Sequence, residues 1–408
     1  MVRIHHYSRI ATAAVAYMTL ASSSSQGVVH AEELCSVVPT SYSAAKTTYP
    51  NLATALGTLE QYSIAAWYTD RMSTSERSSL LSGITSKCSE DTRMTIVVYG
   101  IPSKDCDAGL SSTGAVQSTS DYQSFLQELA TAMGSRKVLY VVEPDAVGLL
   151  ANGGCGVAAG YLDNLKVAVK ALSANSNAQL YVDVGYWLLV DASNTAKVAS
   201  IINELGGSGS VKGITVNTAN YRSTDEVAGY CTNFQTAMGS KDMTCIVDTS
   251  RNYHGSATSA WCNVKTAGIG KPPTSTTGVS NLDYFMWLKP PGESDGVCSD
   301  TSQSLAGTKA GDFYNDGFQS LWDQGYFVSE KGMTTISGSS SQATPAPTTT
   351  GGSSIQSTPA PTTTGDNSTT AGTVAPAGNS STWTSATPTP TATPATTSTS
   401  ACERLLVL

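Results

Sequence analysis

Histidine is nearly missing from this chain. Four occur in 408 residues, and three of them, His5, His6 and His30, lie in a segment with the marks of a removable leader, so the mature protein is expected to keep only His254. A metal centre built on several histidines is thereby excluded, and a Ser/His/Asp triad would have to use His254, whose neighbours offer no such pattern. Positive charge is also scarce, with 23 Lys and Arg against 31 Asp and Glu and a net charge of −8. Nucleic acids and anionic membranes are held by basic patches, so neither is expected as a partner. No two cysteines form a C-x-x-C pair, which argues against zinc ribbons and redox motifs. The apolar run from Ile10 to Ala21 falls short of the roughly 20 residues a membrane span needs. Carboxylates are left as the leading candidates for proton chemistry, with no metal or cofactor.

What is present divides the chain in three. Residues 1–31 carry Arg3 and Arg9, then the apolar run, then Val29-His30-Ala31 as a small-residue cleavage pattern, and read as a secretory signal peptide. Residues 32–336 are long enough for a substantial core and contain eight of the nine cysteines, an even number suited to an oxidising compartment. Residues 337–408 are a low-complexity stalk. From Ser337 to Ser400 it is nearly all Ser, Thr, Pro, Ala and Gly, with Asp366 its only charge. The stretch Thr344–Gly351 repeats at Thr358–Gly365, and the Asn-x-Ser/Thr sites at Asn367 and Asn379 both lie here. Such a composition cannot bury enough apolar surface to fold. Cys402 is left without an obvious partner. The expected protein is secreted and monomeric, with a glycosylated tail able to associate with a cell wall.

Within 32–336, seven apolar, β-branched runs are bounded by turn residues: 63–67, 95–99, 138–143, 179–183, 213–216, 244–248 and 284–288. Helix-like stretches separate them, at 74–88, 120–133, 156–173, 194–205 and 223–238. Strands alternating with helices imply a parallel sheet covered on both faces. Seven units suit a closed or nearly closed β/α barrel of TIM-like kind, with an open doubly wound sheet as the alternative. Carboxylates follow five of the runs: Asp105 after Tyr99, Glu143 and Asp145 after Val142, Asp183, Asp248, and Glu293 and Asp295 after Leu288. In a parallel α/β fold these ends share one face, where barrel active sites form. Several carboxyl groups in one cleft suit acid/base work on a neutral substrate, because one can stay protonated while another is ionised. Any single Asp after a strand could instead cap a helix, and Asp248-Thr-Ser keeps that alternative.

Five of these segments, in order, resemble glycoside hydrolase family 6, the cellulases comprising endoglucanases and cellobiohydrolases. They are Tyr99–Cys106, Tyr140–Leu150, Gln179–Asp183, Asp248–Asn252 with Trp261–Asn263, and Trp287–Asp295. The resemblance spans about residues 40 to 330 and implies a distorted barrel of seven parallel strands that hydrolyses β-1,4-glucosidic bonds with inversion. By the same resemblance Asp145 would be the general acid. Asp105 would raise its pKa and handle the proton of the attacking water, Tyr99 would assist sugar distortion, and Ser111 would hold the water. Asp295 matches a carboxylate proposed as base, with a water relay to Asp105 as the alternative, and Asp183 would shape the field. Lys289, Glu293 and Asn217 would bind sugar hydroxyls, and Trp67 and Trp261 would be stacking platforms; Trp287, inside a strand, is read as barrel core. The resemblance also implies the disulfides Cys106–Cys155 and Cys262–Cys298, and Cys35–Cys88 with Cys231–Cys245 are guesses among the rest. Two positions depart from the family: Leu189 stands where a Trp platform is usual, with Trp187 two residues earlier, and Lys104 replaces the usual Arg before Asp105.

The segments 105–119 and 293–304 are short for a tunnel roof, so an endo-β-1,4-glucanase with an open cleft is expected ahead of a cellobiohydrolase. A different class, a wall-surface glucan-binding protein without useful catalysis, would keep the fold and the stalk but has no need of the full carboxylate set.

Overall fold

A computed structural model describes residues 31–151, 153–256 and 260–338. The expected leader and stalk, with Cys402 and both Asn-x-Ser/Thr sites, lie outside the described residues apart from Ala31, Ser337 and Gly338. The strands are β1 (Leu34–Cys35), β2 (Ala66–Thr69), β3 (Arg93–Tyr99), β4 (Val138–Val142), β5 (Ala178–Asp183), β6 (Gly213–Val216), β7 (Thr244–Asp248) and β8 (Leu282–Met286). Every pair is parallel, and β3 to β8 lie side by side in chain order. The outer edge of β3 is shared: β1 pairs with Arg93–Met94 and β2 with Ile96–Tyr99. The sheet curls until its ends meet through one bridge, Ile64 to Trp287, where Ala65 N–H donates to the Trp287 carbonyl at 2.9 Å. This is the distorted parallel β/α barrel expected, with the two-residue β1 added.

Strands covered on both faces need apolar side chains on both, and β3, β4 and β6 have no exposed residue. Alternation sorts them. Val97, Leu139, Val141, Tyr181, Ile246, Met286 and Leu288 fill the interior, whereas Ile96, Val98, Tyr140, Val142, Val182 and Val247 face the helical layer. Truncating one such residue, Leu139→Ala for example, costs about 2–5 kcal/mol. Trp287 is fully buried, but it belongs to an outer cluster with Ile64, Phe327 and Trp322 instead of the barrel interior.

Helix boundaries follow local chemistry. Ser73 with Glu76 and Ser223 with Glu226 form capping boxes that start the helices Thr74–Lys87 and Thr224–Met238. The helix expected over 156–173 is two, Cys155–Ala158 and Tyr161–Leu172, parted at Gly160, whose φ of 68° is left-handed. The first expected strand moves from 63–67 to Ala66–Thr69 because pairing with the end of β3 sets its register. All four expected disulfides are present, Cys35–Cys88, Cys106–Cys155, Cys231–Cys245 and Cys262–Cys298. No described helix is long and apolar enough to cross a membrane.

Candidate active site

Backbone strain gathers where the strands end. Asp105 beyond β3, Glu143 and Asp145 beyond β4, and Asn217 and Ala219 beyond β6 all have positive φ, between 48° and 73°. Non-glycine residues accept this at a cost of about 1–2 kcal/mol each, and such strain collects at working sites. These ends flank a cleft of about 950 Å³ whose walls include Trp67, Tyr99, Ser111, Asp145, Lys289, Glu293 and Asp295. A concavity of about 910 Å³ on the outer surface, between helices Thr74–Lys87 and Thr119–Met133, is lined mainly by Ser, Thr and Gln and has no such carboxylate set.

Asp145 is buried, and its main-chain N–H donates to Asp183 Oδ1 at 2.9 Å. Burial first, then the charges of Asp183 and Asp105, push the Asp145 carboxyl well above its ordinary range. Asp183 is pushed up by burial to about 6, held from going higher by the Thr218 hydroxyl and by the N–H groups of Asp145 and Gly185.

Beside it lies a hydroxyl chain. Asp105 Oδ2 accepts from Ser111 N–H at 2.6 Å and from Ser111 Oγ at 3.0 Å, and Ser111 Oγ is 3.0 Å from the Tyr99 hydroxyl. Trp67 stands edge-on to Tyr99 with ring centres 5.6 Å apart, its Nε1 donating to the Leu288 carbonyl at 2.7 Å. This joins β2 to the segment just past β8 at the cleft wall.

Asp295 is held differently. Its Oδ2 accepts from Arg251 at 2.8 Å, from the Tyr221 hydroxyl at 2.9 Å and from Asn263 N–H at 2.8 Å, and its Oδ1 is 3.5 Å from Lys289 Nζ. Burial alone would raise this carboxyl, but Arg251 and then Lys289 outweigh it and hold Asp295 below the ordinary carboxylate range. Burial lowers Lys289 and raises Glu293, which accepts from Ser41 Oγ at 2.9 Å. Arg251, Tyr221 and Asn263 were not singled out in the sequence, although Arg251 and Asn263 stand inside quoted segments; their closeness to an Asp was the missing signal.

One expected platform, Trp261, and one expected polar contact, Asn217, sit apart from the cleft walls. Trp261 is half-buried and is not among the cleft-lining residues. Asn217 spends its amide on backbone, donating to the Asp248 carbonyl at 2.9 Å and accepting Arg222 N–H at 2.8 Å, which ties the loop after β6 to β7. Leu189 is fully buried, and Trp187 lies flat enough against Gly148 and Gly185 that a Cβ on either would come within 2.4 Å of the indole. Asp248 caps no helix. It gathers the N–H groups of Ala219, Ser250, Leu288 and Lys289 at 2.9–3.2 Å and so joins the ends of three strands. Glu143 does similar work between β3 and β4, accepting from Gly100 and Ile101 N–H and from the Tyr122 hydroxyl.

A buried carboxyl shifted upward, an Asp linked to hydroxyls and a third carboxyl held low by cations, all beside an indole, are an arrangement able to serve acid/base chemistry on a polar, uncharged substrate. Comparison with known proteins gives the family. A family model described as glycosyl hydrolases family 6 matches residues 27–325, and the chain belongs to that family. Endoglucanase A of Thermobispora bispora is 33% identical over 205 residues, 49% of this chain and 43% of that protein. Cellobiohydrolase C of Emericella nidulans is 32% identical over 276 residues, covering 57% and 59%. The matched region thus spans under half the length of the Thermobispora protein. Among solved structures, a family 6 enzyme of Orpinomyces sp. Y102 has a TM-score of 0.62 at 26% identity, covering 72% of this chain and 97% of that one. The endoglucanase Cel6 of Mycobacterium tuberculosis, solved with a thio-linked cellobioside, gives 0.62 at 25% identity with the same coverage.

Proposed function

We propose that this protein is a secreted cellulase that hydrolyses β-1,4-glucosidic bonds with inversion, cutting within chains. The observation that carries the reading is the buried Asp145 carboxyl, pushed well above its ordinary range by burial and by Asp183 and Asp105, in a cleft with Trp67 and Tyr99 on its walls. Asp145 gives its proton to the glycosidic oxygen as the bond to the anomeric carbon breaks. Water attacks the opposite face, as inversion requires. Ser111 Oγ holds that water, and its proton passes through the hydroxyl chain to Asp105. Asp295 is a poor base, since taking a proton would strand Arg251 and Lys289 without their counter-charge; as a fixed anion it favours positive charge developing on the sugar ring. Trp67 supplies an apolar face for a glucose ring, and Lys289 and Glu293 bind its hydroxyls. Four disulfides fit an oxidising, extracellular location.

NMR of the first product from β-1,4-glucan oligosaccharides tests class and stereochemistry together. The α-anomer is expected; an initial β-anomer rejects inversion, and no cleavage rejects the enzyme. Asp145→Ala should abolish hydrolysis and leave binding intact.

One observation favours the exo-acting alternative. Leu110, on the loop carrying Ser111, packs over Gly296 on the loop carrying Asp295, where an added Cβ would lie 3.1 Å from Leu110 Cδ1. A contact between the loops that carry Ser111 and Asp295 narrows access from the side and favours entry of a chain by its end. Viscosity of soluble cellulose decides: a fast fall with few new reducing ends supports the endo reading, and slow thinning with cellobiose released rejects it.

A further inference from the structure

The loop that carries Asp105 and Ser111 is closed at its base by an ion pair that no part of the mechanism above uses. Lys104 Nζ lies 2.6 Å from Asp70 Oδ1, with the two side chains 2% and 1% exposed. Lys104 also donates to the Thr113 carbonyl at 2.7 Å, and its ammonium stands 5.8 Å from the centre of the Tyr99 ring. Asp70, one residue past β2, accepts Val116 N–H on Oδ2 at 3.1 Å, and its own carbonyl accepts Ala115 N–H at 3.1 Å. Gly114 has no room for a side chain, because a Cβ there would lie 1.9 Å from the Asp70 carboxylate. Lys104 on the near limb and Thr113–Val116 on the far limb are thus tied to one carboxylate, with Asp105 and Ser111 between them.

A dry ion pair is a weak source of stability, since the cost of removing both charges from water offsets their attraction. Its worth lies in geometry. The ammonium has one position that satisfies Asp70 and Thr113 together, and that position sets the spacing of the two limbs. We propose that Lys104 and Asp70 are positioning residues that hold Ser111 and Asp105 in register with Tyr99 for the water-handling half of the reaction. This rests on the glycosidase reading. It also accounts for a Lys at the position where the resemblance expects Arg: the site offers a carboxylate, a carbonyl and a ring face, which an ammonium meets without a guanidinium's second pair of donors.

The test compares Lys104→Met and the double variant Asp70→Leu/Lys104→Met with the wild-type full chain. The double variant removes both charges but also takes the acceptor from the Val116 N–H, so its fold is checked by its melting transition. Two substrates are used: a β-1,4-glucan oligosaccharide, and β-cellobiosyl fluoride, whose leaving group departs without a proton from the enzyme. Misplacing a reacting group by about 1 Å costs about 10²-fold, so kcat should fall by about that factor on both substrates with KM little changed. Asp145→Ala, the comparator, should lose the oligosaccharide and keep the fluoride. Amide exchange over residues 105–113 should quicken in both Lys104 variants. A folded double variant that keeps kcat, a loss confined to KM, or unchanged exchange in this segment overturns the proposal. Wild type inactive on both substrates would instead overturn the glycosidase reading, and the exchange measurement would then decide the positioning alone.

Discussion

Asp183 Oδ1 accepts the main-chain N–H of Asp145 at 2.9 Å, so the carboxylate that raises the acid's pKa also holds its peptide in place. The two roles separate in Asp183→Asn, whose amide oxygen still accepts that N–H but carries no charge. Removing a neighbouring like charge lowers a carboxyl's pKa, so the basic limb of kcat/KM against pH should move to lower pH by about one unit. An unmoved limb would show that Asp183 does not tune the acid.

Stability should fall as the solution turns neutral. Glu143, with an ordinary value of 4.5, is pushed up to about 7 by burial, against the lowering effect of Tyr122 and the N–H groups of Ile101 and Gly100. A carboxyl that is harder to ionise in the folded state contributes stability below pH 4.5, and that contribution is lost as pH rises through 7. The loss is of the order of 3 kcal/mol for this group. Asp183 acts in the same direction over a window that ends near 6. Urea unfolding at several pH values should give the slope, and Glu143→Gln should flatten its share of it. The same slope in the variant would exclude Glu143 as the source.

Breaking the Arg251–Asp295 pair from one side should be costly. Asp295→Leu leaves a fully buried guanidinium facing no carboxylate, a loss of about 3–5 kcal/mol. Arg251→Met with Asp295→Leu removes both charges and should recover more than half of that loss in denaturant unfolding, while activity stays lost in both. Equal destabilisation of single and double variants would mean that the pair is not coupled.

The disulfide Cys106–Cys155 tethers the residue after Asp105 to the short helix beyond β4 and closes a loop of 49 residues. Chain-entropy arguments give about 4 kcal/mol for a loop of that length. Replacing both cysteines with Ser should lower the melting temperature and reduce kcat more than KM changes. A variant that melts lower with full kcat would confine this bridge to stability.

The sequence by itself determined the alternation of strands and helices and the carboxylates that follow the strand ends, while the closing of the barrel and the roles of those carboxylates were implied by the family resemblance. Short β-branched runs and helical periods are local patterns, and the runs ended in carboxylates because loops at strand ends are where a rigid sheet can present them. Asp105, Asp145, Asp183 and Asp295 were therefore legible one strand at a time. What only the tertiary structure decided is how those carboxylates differ. Asp295 is held below the ordinary carboxylate range because Arg251, 44 positions away in the chain, donates to it. Asp145 is pushed well above the ordinary carboxyl range by burial and by Asp183, 38 positions away. The same long-range pairing moved β2 out along β3, turned Trp287 away from the barrel interior, committed Asn217 to backbone and joined Lys104 to Asp70. A side chain's type is written locally, but its charge state and contacts depend on what the fold brings within a few ångströms.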